Sequence, residues 1–539
     1  MAEDEDEDED EDMDEEDSDD YSDEENVDDP DGGEDDDGED DHHRVQPSPP
    51  VRDDEARTVE NETEVLGVFR SHMLPHFPFF SLDDRYHVPG GVYQLASERP
   101  FLWRAILCVA SRHGRTTKGV ELRHALYKAL LCPDSDADRM DLLLGLLTYL
   151  SWGWDHSKRI SRLTLQAISL ACEVMPSPNP EPACGFDARS LRLPNVDGTA
   201  GNTTGGFLER NRAVLGCFVL SSAAAAFLDH SIDALRWTPQ LDESLAALDA
   251  NVRECPSDST LAAQVRLQLL SQKAVDIRRQ QLGQAHAQVP ALAASAGGAN
   301  DHLVTLAVLH ADAEALALRP PAPSVLHAVD AASRSRHLAH ASATALAIGA
   351  TRYQILAAQP FIVDHFGALT SKTASRPSRG ERAGCLWACV DAAQGCAASL
   401  LSLADADFAG VSLVQWAQLV RGLALLHFVT VACRDPYPFW DRAAARAAVD
   451  VPALLERVAE KVVAAAAAAG EQLGPVGLES EGSLAGVASR LRGFGAQVRE
   501  VMAGEGAEEA GQGMNANRQP AALPWIHDSG ASSTWRVSP

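Results

Sequence analysis

The stretch WGWDH, residues 152–156, puts two tryptophans, an aspartate and a histidine into five positions of a chain whose aromatics are 6% of residues. Tyr149 lies three positions earlier. Aromatic faces, a phenol and an imidazole together are a set that can hold a small effector. The flanking residues favour a plainer reading. Gly153 falls between two strongly periodic apolar segments, so WGWDH reads first as a joint between helices. Trp152 and Trp154 would wedge the helices together, and Asp155 or Ser157 would cap the second one. If a small effector binds, Tyr149, Trp152, Trp154 and His156 are the place for it.

Other chemistry finds less support. Helical terpene cyclases need carboxylates at helical spacing to hold magnesium around a diphosphate. Asp83-Asp84 is followed by Arg85 and Tyr86, and it stands before Pro89, Gly90 and Gly91 in a loop. His337 and His340 are three apart with no acidic base beside them, and we read them as surface or half-buried. His310 and Asp312 point apart on a helix. The ten cysteines contain no C-x-x-C pair. Cys385 and Cys389 share a helical face without a neighbouring histidine, and Cys108, Cys217 and Cys433 sit in apolar runs as small hydrophobes. There is no nucleophile elbow, P-loop or dinucleotide fingerprint. The expectation is no catalysis, no metal and no cofactor.

Nearly every candidate lies on a helix. From about residue 59 to 503, apolar residues recur at three- and four-residue spacing and alanine and leucine dominate. Examples are RPFLWRAILCVASRHG (99–114), Arg139 to Trp152, and Ile160 to Met175 before Pro176, Pro178 and Pro180. The serine-aspartate start of SDSTLAAQVRLQLL is a cap signal for a later helix. Loops are expected near 176–206, 287–300, 318–324 and 370–380, where Pro, Gly and Asn gather. No alternating β-branched run demands a sheet. The fold class is all-α: one large multi-helix domain, 59–503, with a disordered acidic tail at 1–58 and a loose tail at 504–539.

Charge is distributed very unevenly. Of the 79 acidic residues, 29 fall in the first 41 positions, where there is no Lys or Arg. The remaining 50 face 45 basic residues, so the body is close to neutral. The acidic run cannot bury enough apolar surface to offset ordering, and its charges repel. It suits contact with basic partners such as histones and would repel nucleic-acid phosphate. No basic n-region precedes an apolar core, and the apolar run Ala213 to Leu228 is short for a bilayer. We expect a soluble intracellular protein that does not enter membranes.

The order of segments carries more than any one motif. SHMLPHFPFF (71–80), ERPFLWRAILCVASR (98–112) and MDLLLGLLTYLSWGW (140–154) come first. NRAVLGCFVLSS (211–222), RWTPQLDESLAAL (236–248) and PSDSTLAAQVRLQLLSQK (256–273) follow. VQWAQLVRGLALL (414–426) and DPYPFWDRAAARAAVDVPALLERV (435–458) come last. Over roughly 60–470 this series resembles the regulatory (middle homology) region of fungal binuclear zinc-cluster transcription factors. The opening that carries the likeness is Phe69, Arg70, Pro75, His76, Phe77, Pro78 and Phe79.

The resemblance implies an all-helical regulatory domain of a nuclear transcription regulator, with other transcription-regulatory proteins as partners and no catalysis. It also exposes a departure. The family reads DNA with an N-terminal basic cluster of six cysteines holding two zinc ions, whereas the first cysteine here is Cys108. Either the protein regulates without its own zinc cluster and meets DNA through a partner, or the cluster lies upstream of this sequence. The alternative is a helical scaffold, or an acidic-tailed protein that binds chromatin or histones without touching DNA.

Overall fold

Every regular element among the described residues of the computed structural model is helical. The described residues are 62–82, 86, 90–111, 115–131, 136–153, 160–175, 204–227, 232–287, 296–319, 331–366, 379–433, 440–470 and 484–510. The chain divides into two units, Met1–Asp53 and Asp54–Pro539, and all described residues belong to the second. The acidic run and the residues after Ala510 lie outside them.

Helix α1 (62–68) leads into a π turn, Phe69–Met73, and a 3₁₀ turn, Leu74–His76. Then come α2 (Gly91–Glu98), α3 (Pro100–Ala110), α4 (Arg115–Leu131), α5 (Asp136–Trp152) and α6 (Ile160–Val174). The middle holds α7 (Thr204–Phe227), α8 (Pro239–Asn251), α9 (Ser257–Ala287) and α10 (Ala296–Ala317). The last group is α11 (Ala331–Phe366), α12 (Arg379–Leu401), α13 (Asp405–Ala409), α14 (Leu413–His427), α15 (Arg442–Ala448), α16 (Val451–Ala468) and α17 (Leu484–Ala510).

Helix starts follow local chemistry. Pro100 and Pro239 sit at the first positions of α3 and α8, where a missing N–H costs nothing. Ser412 and Gln415 form a capping box on α14. Asp441 and Asp450 accept from the backbone of Ala444 and Ala453, each at 3.0 Å, to start α15 and α16. Two expected boundaries move. Gly297 and Gly298, read as loop, lie in the first turn of α10, where glycine is tolerated. Helix α17 continues past Gly504 to Ala510 because GAEEA supplies good helix formers.

Two large cores result. One is built mainly from α1–α9, the other from α11–α17. A smaller cluster joins α9, α10 and α11 through Leu270, Ile277, Leu306, Leu309, Ile348 and Ile355. Helix α9 thus serves the first core with its N-terminal half and the small cluster with its C-terminal half. Segments Gly380–Leu401 and Leu413–Ala432 are long and apolar enough to cross a membrane. Here they instead put Leu386, Val390, Leu419 and Leu423 into the second core.

Candidate functional site

The residues that carry the family likeness form an aromatic arm, Phe69–Phe80, which belongs to the first core and touches α13 and α14. Pro75 and Pro78 stop any long helix there, leaving a π turn, a 3₁₀ turn and an extended tail. Phe69, Phe77 and Phe79 are fully buried and Phe80 nearly so. Phe69 meets the Trp152 ring edge-on at 5.3 Å, and Phe79 stacks on it at 6.2 Å. Phe77–Phe79 and Phe79–Phe80 centroids are each 5.0 Å apart. Such pairs add about 0.5–1.5 kcal/mol each beyond the area they bury.

Polar contacts set the arm in place from both sides. The His76 carbonyl accepts from Gln264 Nε2 of α9 at 2.8 Å and from Gln415 Nε2 of α14 at 3.1 Å. His72 Nδ1 lies 3.0 Å from Asp407 Oδ1 of α13. Trp152 Nε1, at the end of α5, donates to the Gly410 carbonyl at 2.9 Å. Two glycines admit the arm. A Cβ on Gly216 of α7 would collide with Phe79 Cβ, and one on Gly410 with the His72 carbonyl oxygen. The second obstacle is backbone and cannot rotate away. Gly410→Ala is therefore expected to destabilise the protein by about 2–3 kcal/mol through overpacking, read as a lower urea midpoint.

Tyr149 and Trp152 lie in this part of the body, both buried on α5. The Tyr149 phenol accepts from Arg123 Nη1 of α4 at 2.7 Å, whereas Trp152 faces the arm and Gly410. Trp154 and His156 lie outside the described residues, as do Asp83 and Asp84. His337 and His340, read as surface or half-buried, are 6% and 1% exposed, because α11 packs on both sides. His337 Nε2 is 2.9 Å from the Leu316 carbonyl at the end of α10. Cys385 and Cys389 are buried, with Cys385 Sγ 3.2 Å from the Gly349 carbonyl. Among the described residues no three His, Cys, Asp or Glu are grouped as a metal ion would need. The arm's link to α13 and α14 was not expected. Its sequence signal, FRSHMLPHFPFF, is dense, but the two side chains that donate to the His76 carbonyl lie 188 and 339 residues away.

Burial displaces several ionisations. The His76 ring is fully buried beside the backbone of Asp407, whose hydrogen bonding works against the burial and favours the protonated ring. Burial first, and then the charge of Arg336, lower its pKa to about 3. Asp141 of α5 is raised to about 6 by burial, although it accepts from the backbone of Phe101 (2.8 Å) and Leu102 (3.0 Å) at the start of α3. Asp141→Ala strands both N–H groups, so a loss of about 1–3 kcal/mol in chemical denaturation is expected. Asp258, read as a cap for α9, instead turns inward to Arg212 of α7.

Comparison with known proteins gives these contacts a setting. A family described as a C-terminal domain matches residues 405–528, a stretch that begins at α13 and includes Gly410 and α14–α17. A protein of Aspergillus terreus named Transcription factor is 29% identical over 426 residues, covering 77% of this chain and 57% of the relative. Transcription factor opdL of Penicillium oxalicum is 31% identical over 228 residues, 40% of this chain and 38% of the relative. The chain thus spans less than two thirds of either relative. No solved structure matches it significantly. Over 426 residues in one case and 228 in the other, this chain is similar to fungal proteins that are named transcription factors.

Proposed function

We propose that the chain acts in the nucleus as the regulatory body of a fungal transcription regulator. The observation that carries this is the 426-residue likeness to the Aspergillus terreus protein named Transcription factor. On this reading the body catalyses nothing. It holds a regulatory state and passes it to other transcription-regulatory proteins. No cysteine precedes Cys108, and on this reading the body carries no zinc cluster of its own. DNA is then reached through a partner or through a module outside this sequence. The arm suits a state-holding role because it links α5, α7 and α9 to α13 and α14 at one place.

A tethering assay tests the proposal. The full chain is fused to an unrelated DNA-binding module and placed upstream of a reporter gene. The expected result is a several-fold rise or fall in the reporter, reduced by Gly410→Ala. An unchanged reporter, with the fusion bound at its promoter, would count against the reading.

A further inference from the structure

Helix α10 is apolar on two opposite sides. Its inner side puts Leu306, Leu309 and Ala313 against α9 and α11, and all three are buried. Val304, Ala307, Val308, Ala311, Ala315 and Leu318 are exposed. At about 100° per residue these six form one stripe opposite the buried side. Leu318 completes the last turn, its N–H donating to the Glu314 carbonyl at 3.2 Å. Leu318 is 83% exposed, Val304 64% and Val308 55%. A helix face turned to water ordinarily carries polar residues instead.

The spacing along the stripe alternates four and three from Val304 through Val308, Ala311 and Ala315 to Leu318. That spacing seats one helix on another at a shallow angle. The charges beside it say which helix fits. Asp301 and Arg319 are both exposed, and neither is ion-paired among the described residues. They are eighteen residues apart, which is five turns, so they stand on the same flank of the stripe. The midpoint between them is residue 310, and the midpoint of the stripe is Ala311. One two-fold axis therefore suits both. It sets a second α10 antiparallel to the first, with Val304 on Leu318, Val308 on Ala315 and Ala311 on itself. Asp301 of each copy then faces Arg319 of the other. A parallel pairing would set aspartate on aspartate and arginine on arginine.

We infer that α10 is the contact surface of a homodimer in which the outer stripes of two copies pair antiparallel. From ordinary side-chain areas the stripe offers about 500 Å² per copy, so the pair buries about 1,000 Å², at the lower end for a specific interface. Asp312 is exposed on the charged flank near the axis, where it approaches its own copy and limits the affinity. A Kd of about 10 µM suits such a contact. The inference goes beyond the transcriptional reading and does not rest on it.

Sedimentation velocity of the purified full chain between about 1 and 100 µM tests it. The expected result is a 57.7 kDa monomer at the low end and a species of twice that mass at the high end. Val308→Glu changes an exposed position, so the variant should melt like the parent yet stay monomeric throughout. At about 50 mM salt, Asp301→Arg and Arg319→Asp should each weaken the dimer about fivefold. The double variant should regain the parental Kd, because each swapped pair is again opposite in charge. Three results would overturn the inference: a monomer at about 100 µM, a dimer that Val308→Glu leaves intact, or charge variants that depart from this pattern. The first would leave the stripe to a different protein or to another segment of this chain. The tethering assay depends on none of them.

Discussion

Arg212→Met is expected to destabilise the protein by about 3–5 kcal/mol, the usual cost of removing one partner from a buried ion pair. Arg212 of α7 grips Asp258 of α9 with both arms of its guanidinium, Nε to Oδ1 at 2.6 Å and Nη2 to Oδ2 at 2.9 Å. The aspartate side chain is fully buried and the arginine 8% exposed. Asn251 Nδ2 also donates to Asp258 Oδ2 at 3.2 Å, leaving the carboxylate well hydrogen-bonded. Methionine keeps most of the volume and removes the charge, so Asp258 is left ionised in a dry place or must take up a proton. Much of the loss is therefore the cost of the stranded carboxylate. Adding Asp258→Leu to Arg212→Met should recover most of the stability. Urea denaturation of the two variants separates these contributions. A loss below about 1 kcal/mol in the single variant would mean that water reaches the pair.

The second large effect is acid lability. His76, His340 and His427 have folded pKa values of about 3, 3 and 4, lowered chiefly by burial. Their unfolded value is near 6.5. As pH falls below it, the unfolded chain takes up protons that the folded protein refuses, so stability is lost. The contribution is present above about pH 6.5 and falls away toward the folded values. At pH 5.5 all three folded values lie well below the solution pH, so the unfolded value sets the size. The three together remove roughly 4 kcal/mol relative to pH 7.5. Asp141 acts in the opposite direction. Its folded pKa of about 6 exceeds the unfolded value, so protonation below pH 6 favours the folded state and offsets roughly 1 kcal/mol. A net loss of about 3 kcal/mol is expected between pH 7.5 and 5.5. His76→Leu should flatten that dependence by roughly a third, because it removes one of the three buried imidazoles that refuse a proton in the folded state. Equal or greater stability at pH 5.5 would contradict the account.

Much of this was legible in the sequence, and the exceptions share a cause. Helix type followed from apolar spacing. The stretch that forms the arm stood out only through the resemblance it carries, in Phe69, Arg70, Pro75, His76, Phe77, Pro78 and Phe79. Long-range pairing was not legible. Nothing near Gly410 signals that its carbonyl will receive Trp152, or that its missing Cβ makes room for His72. Asp258 shows the same limit. An aspartate at a helix start satisfies a local rule, but Arg212 on another helix wins because its guanidinium grips both carboxylate oxygens at once. His337 and His340 were read as surface or half-buried because single-helix reasoning does not show which helices cover both faces of α11. The outer stripe of α10 shows it too, since the spacing of Val304, Val308 and Leu318 does not say which side of that helix the body covers.

The central claim is that this helical body acts on transcription. The most direct measurement is chromatin immunoprecipitation of the tagged full chain in the fungus that produces it, paired with transcript profiling after deletion of its gene. The account predicts enrichment at the promoters of genes whose transcripts change on deletion. Absence of promoter enrichment together with an unaltered transcript profile would contradict it.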